Sequence, residues 1–161
     1  MTLLVRKVNR NNWSPEEPDD VFDVSSNAIT NCLRTVRNQI SVWEIESEDK
    51  LKEAVLALAA AGDHLETFDI VMLDKDYIER EMKCNNSKGD TPVKDLIEKH
   101  YDLSKLTYYE LGLIAEHIIL KLKEDNIRRY TAREIREILN EAIKNKRLNY
   151  EDIKLEVREK L

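Results

Sequence analysis

Glycine and proline are scarce in this chain, three of each in 161 residues. So few breakers argue against a β-sandwich with its dense turns, and against long disordered linkers. Three widely separated glycines also exclude the phosphate-cradling loops GxGxxG and GxxxxGKS/T, and neither GxSxG nor HExxH occurs. Cysteine appears twice, at Cys32 and Cys84, in no CxxC spacing. Two unpaired thiols in a reducing compartment fit that better than a disulfide framework. No apolar run approaches membrane-spanning length, and the opening MTLLVRKVNRNNW lacks the apolar core of a cleavable signal. The expectation is a soluble, cytoplasmic protein that does not engage membranes.

Charge, by contrast, is plentiful. Charged residues make up 36% of the chain against a usual quarter, which predicts long solvated helix faces, while 42% hydrophobic residues suffice for a core. A net charge of −6 opposes indiscriminate binding to nucleic acid. The charge is uneven: residues 121–161 hold 12 basic and 9 acidic side chains, and the first 120 hold 14 and 23.

The stretch from Gln39 to Asp74 organises the N-terminal part as strand, helix, strand. Gln39–Ile45 is β-branched and aromatic, and Phe68–Leu73 is a second apolar run. Between them Leu51, Ala54, Val55, Leu58 and Ala59 keep a helical period, and Gly62 offers a left-handed stop. A strand over Thr2–Val8 and a short helix over Val24–Arg34 precede this unit. Between those two, Asn9–Asp23 reads as an exposed loop anchored by Trp13. Asp74 can cap a further helix, Lys75–Met82.

The polar stretch 83–90, KCNNSKGD, reads as a linker, and everything after it as helix. Capping boxes at Thr107/Glu110 and Thr131/Glu134 each open a long amphipathic segment, and Ile118 falls at the centre of the first. The pattern predicts an α+β (or small α/β) protein. Residues 1–82 would form a three-stranded sheet with βαβ crossover helices, and 91–161 a bundle of about four helices.

Two groups of residues could carry chemistry. If the strands run parallel, their carboxyl ends gather Glu44, Glu46, Asp74 and Asp76, a set suited to a hard divalent cation. Helix capping accounts for acidic residues there equally well, so Asp74, Asp76 and Glu44 are catalytic candidates only, with no metal or cofactor implied. Arg128, Arg129, Arg133 and Arg136 lie at and just inside a predicted helix start, followed on the same side by Asn140, Lys144 and Arg147, as a phosphate-binding face would. Glu134, Glu137 and Glu141 run beside them and would repel phosphate, so a salt-paired solvated face is expected. Glu110 and His117 share a helix face as a possible acid–base pair, and Arg6 and Ser41 are potential neighbours across two strands.

With catalytic motifs missing and helix signals strong, the leading expectation is a non-catalytic protein-interaction module, a small accessory or regulatory subunit that binds a protein partner or itself. A nucleic-acid-associated regulator using Arg128–Arg147 is the first alternative. A small metal-dependent hydrolase or nucleotide-processing enzyme using the sheet-edge carboxylates is the second.

Overall fold

Leu3, Leu4 and Val5 present hydrocarbon to both sides of the chain, and a strand with two apolar faces belongs inside a sheet. In the computed structural model, which describes residues 2–13 and 23–161, β1 (Leu3–Val8) is an inner strand of a six-stranded sheet. The other strands are β2 (Ile40–Ile45), β3 (Phe68–Asp74), β4 (Lys83–Asn86), β5 (His100–Ser104) and β6 (Ile127–Tyr130). Their order is β4-β5-β2-β1-β3-β6, and every pairing is antiparallel.

The protein is thus a mixed α+β structure, and three sequence-based expectations need correction. β2 and β3 do flank a helix, α1 (Leu51–Ala61), and run the same way, but β1 lies between them and pairs with both. The stretch expected as a linker contains β4, which pairs with β5 through Cys84↔Leu103 and Asn85↔Asp102. The region expected to be all helix contributes β5 and β6 to opposite sides of the same sheet.

Polar residues disguised β4. At the edge of a sheet only one side of the backbone is paired, so KCNN need not bury anything. Its asparagines use their side chains for hydrogen bonds instead: Asn85 Nδ2 donates across the ladder to Ser104 Oγ at 2.8 Å, and Asn86 Nδ2 to the Glu98 carbonyl at 2.8 Å. Just beyond, Gly89 is packed rather than exposed. A Cβ there would stand 2.4 Å from the Trp43 ring, so only glycine lets the backbone pass.

Helices cover both faces of the sheet. α1 and α4 (Ala132–Lys144) close one, with the short α5 (Leu155–Arg158), through Val55, Leu139, Ala142 and Val157. α3 (Tyr108–Lys123), α2 (Lys75–Glu81) and a π-type turn at Ala28–Cys32 close the other, through Ile114, Ile118, Ile78 and Ala28. Both capping boxes form: Thr107 and Thr131 each accept from their helix backbone while Glu110 and Glu134 reach back to the cap amides at 2.8 Å. Trp13 is buried, as an anchor should be, although residues 14–22 of the expected loop lie outside the described residues.

Turns depart from the glycine rule. Gly62 has φ −66° and an extended conformation, not the expected left-handed one. The left-handed positions belong to Arg37, Asn38, Lys105, Asp125 and Lys146. Arg37 and Asn38 together make the tight two-residue turn between Val36 and Gln39 that leads into β2.

Candidate functional site

The antiparallel order still brings the ends of β2 and β3 to one edge, because both pair with Leu3 of β1: Leu3↔Ile45 and Leu3↔Asp74. Two ionic clusters sit there. Lys75, first residue of α2, forms an ion pair with Glu44, lies 3.5 Å from Glu79, donates to Tyr101 Oη at 3.2 Å and covers the Tyr101 ring. Burial pushes the Glu44 carboxyl up, but the hydrogen bond and charge of Lys75 outweigh it and leave the group below its ordinary range.

The second cluster joins α3 to the start of α2. Lys121 Nζ is 2.9 Å from Asp74 Oδ2 and 2.9 Å from Glu124, and its side chain is 8% exposed. The Asp74 amide donates to His117 Nε2 at 3.1 Å, so the neutral imidazole carries its proton on Nδ1. Burial lowers the His117 pKa against the pull of the nearby Asp74 charge. Tyr77 stacks on the imidazole at 4.4 Å and 10°. His117 is therefore a neutral acceptor holding the β3–α2 corner, while Glu110 is occupied at its own cap and does not meet it.

Asp76 is exposed in the first turn of α2. The edge therefore gathers Glu44 and Asp74 but ties each to a lysine. Among the described residues, no three His, Cys, Asp or Glu side chains converge as metal ligands.

The arginine group is dispersed. Arg128 and Arg129 belong to β6, an edge strand, rather than to the start of a helix, and on a strand adjacent side chains point to opposite faces. Arg129 forms a two-pronged bond to the buried carboxylate of Asp69, Nε to Oδ1 at 2.8 Å and Nη2 to Oδ2 at 3.1 Å. Arg133 pairs with Glu137 at 3.1 Å on the exposed side of α4, where Arg136 is also exposed. Arg147 reaches Glu53 of α1 and Asp95.

A third polar group escaped sequence reasoning because its members lie on β4's extension and on β5. Ser87 Oγ is 2.8 Å from His100 Nδ1 and donates to Asp102 Oδ2 at 2.8 Å. The serine stands between acid and imidazole, so it bridges them instead of being activated by the histidine, as a nucleophile would require. Burial lowers the His100 pKa, and its ring meets Trp43 edge-on at 5.0 Å.

Chemistry-bearing residues are thus mostly paired inward, whereas the outer side of α3 is open. Tyr108 is 93% exposed, Tyr109 68% and Leu120 47%. Tyr109, Leu113 and Leu120 recur at i, i+4 and i+11, which aligns them on one face with Glu116 among them. Gly112 lies in the same stretch, and a Cβ added there would meet no atom within 4 Å. No protein-family model matches this chain, no curated protein matches it, and no solved structure matches it.

Proposed function

We propose that this protein is a non-catalytic interaction module, a small accessory or regulatory subunit of a larger assembly, which docks a helix of a partner protein on the outer face of α3. The observation that carries this reading is the aligned set Tyr109, Leu113 and Leu120, beside the nearly fully exposed Tyr108. Lone exposed apolar residues are ordinary, but a tyrosine in register with two leucines on one helix face has the composition of an interface core. Gly112 adds to it. Mid-helix glycine costs about 1 kcal/mol relative to alanine, and no contact among the described residues requires it. A partner backbone approaching closely would require it.

The alternatives lack such support. The sheet-edge carboxylates Glu44 and Asp74 already hold Lys75 and Lys121. Among the arginines, Arg129 is committed to Asp69 and Arg147 to Glu53 and Asp95.

Site-specific photocrosslinking tests the reading. A benzophenone amino acid at Tyr109 should give one discrete adduct in cells of the source organism, and Leu120→Lys in the same chain should abolish it. The same probe at exposed Glu151, far along the chain on another element, should give none. Equal labelling from both positions, or an adduct indifferent to Leu120→Lys, would sink the proposal.

A further inference from the structure

Arg6 lies on the inner surface of the sheet and forms no ion pair with an acid among the described residues. It alternates with Leu4 and Val8 on β1, so it points to the side covered by the Ala28–Cys32 turn. Its Nε donates to the Cys32 carbonyl at 2.7 Å and its Nη1 to the Ser41 carbonyl at 2.8 Å, the cross-strand proximity the sequence suggested. A guanidinium has five N–H groups. Three, including both on Nη2, have no hydrogen-bond partner among the described residues.

Beside Arg6 lies an open cleft of about 370 Å³, lined also by Lys7, Val8, Asn9, Asn12, Asn31 and Cys32, with no carboxylate among these described residues. Carbonyl dipoles satisfy two donors but supply no countercharge, and removing a cation from water without one is costly. Burial accordingly pulls the Arg6 pKa down to about 10, with only the Cys32 sulfur acting against it.

The asparagines are placed to help. Asn9 uses its side-chain oxygen on the Asn11 amide, which leaves its amide hydrogens as donors. Among the described residues the exposed Asn31 side chain makes no hydrogen bond, and that of Asn12 makes only a 3.8 Å contact to the Cys32 sulfur. A guanidinium end and primary amides around a space of this size suit a compact group that accepts several hydrogen bonds.

We infer that the cleft between β1 and the Ala28–Cys32 turn binds an oxyanion, a phosphate or carboxylate group of a small ligand, on Arg6 with the amides of Asn9, Asn12 and Asn31. This site is independent of the α3 docking face, and either can fail without the other. The fork of Arg6 supplies charge and direction, and the asparagines supply neutral donors that do not compete for the anion.

The test is a titration of the full chain with sodium phosphate, and separately with sodium acetate, against chloride at equal ionic strength. The Arg6 Nε–H and Asn31 side-chain amide resonances should shift and saturate together, and the melting temperature should rise with the saturating anion. Response to phosphate, to acetate or to both supports the site and says which geometry it prefers. Asn31→Asp puts a carboxylate at the mouth of the cleft on an exposed position. It should melt no lower than the parent in chloride and bind the added anion at least ten-fold more weakly. Absence of a saturable shift with either anion, or unchanged affinity in Asn31→Asp, would overturn the inference.

Discussion

Beneath α1 and α4 the sheet buries hydrocarbon and neutral polar groups, Thr91, Ser104 and a histidine, His100, that burial keeps uncharged. Beneath α3 and the Ala28–Cys32 turn the same sheet carries charge: Asp69 against Arg129, Lys121 against Asp74, and Arg6 held by two carbonyls with no acidic partner among the described residues. α1 explains part of the contrast. Its sequence LKEAVLALAAA offers many small apolar side chains, seven of eleven residues buried and none of those seven polar. α3, by contrast, buries His117 and Lys121 among its apolar residues, and Tyr77 of α2 stacks on that histidine. The first face is built to be stable, and the second must keep ionic groups paired to remain so.

Removing hydrocarbon should hurt both faces alike. Ile118 on α3 and Leu139 on α4 are each fully buried, and either change to alanine should cost about 2–5 kcal/mol in urea unfolding. A loss under about 0.5 kcal/mol at one of them would mean that its helix is only loosely seated, and the comparison would need redrawing.

Removing charge should separate the faces. Lys121→Ala strands the Asp74 carboxylate, whose Oδ1 is already buried without a hydrogen bond. A loss of about 3 kcal/mol is expected, the low end for breaking a buried pair, because Asp74 retains some exposure. The double change Lys121→Met with Asp74→Asn removes both charges and should recover most of it. If the double variant is no better than the single one, the cluster holds the corner by shape and not by charge.

Much of this was legible in the sequence, and the illegible part has a physical cause. Capping boxes and helical periodicity located α3 and α4 because those signals are local, and Ile118 is buried as its register required. Strand order is not local. Leu3, Leu4 and Val5 do announce an inner strand, but nothing in Gln39–Asp74 says that β1 inserts between β2 and β3. β4 hid because an edge strand buries little, and β6 because Ile127–Tyr130 looks like the approach to a helix cap. The same long-range pairing governs the candidate residues. Arg129 could not be assigned to Asp69, 60 positions away, until Asp69↔Arg129 register was known.

Acid should act more gently, and mainly on the charged face. Burial raises the Asp69 pKa, but the hydrogen bond from Arg129, the Arg10 amide at 2.9 Å and both charges outweigh it, so the folded value lies below the ordinary one. A depressed folded pKa contributes stability that is present above the unfolded value, about 3.9, and is lost as pH falls through the folded value. Glu44 behaves likewise through Lys75. The buried neutral histidines His117 and His100, whose folded values lie below the unfolded one of about 6.5, should make stability begin to decline gently below about pH 6.5, and the carboxylates should steepen the fall below about 4. Asp69→Asn should flatten that fall, whereas Glu134→Gln, whose carboxylate caps α4 on the exposed side, should alter it less. Equal flattening by both would assign the acid sensitivity to surface caps.

The smallest effect expected is a gain, and it sets folding against docking on a single residue. Gly112 lies in the middle of α3 with helical backbone, and an added Cβ meets nothing within 4 Å. Alanine there restricts the unfolded chain and suits the helix, so Gly112→Ala should stabilise the isolated protein by about 0.4–1 kcal/mol in urea unfolding. A larger residue such as Gly112→Gln should be tolerated as well, since the space is open. If α3 receives a partner helix, the same substitutions move in the opposite direction for binding: the Tyr109 photoadduct should weaken with alanine and vanish with glutamine while stability holds or rises. That opposition of signs is what a close helix approach predicts and what a bare solvated face does not. A glutamine variant that is stable and still crosslinks in full would leave the glycine without a role in docking, and would move the contact toward the Tyr108 end of the helix.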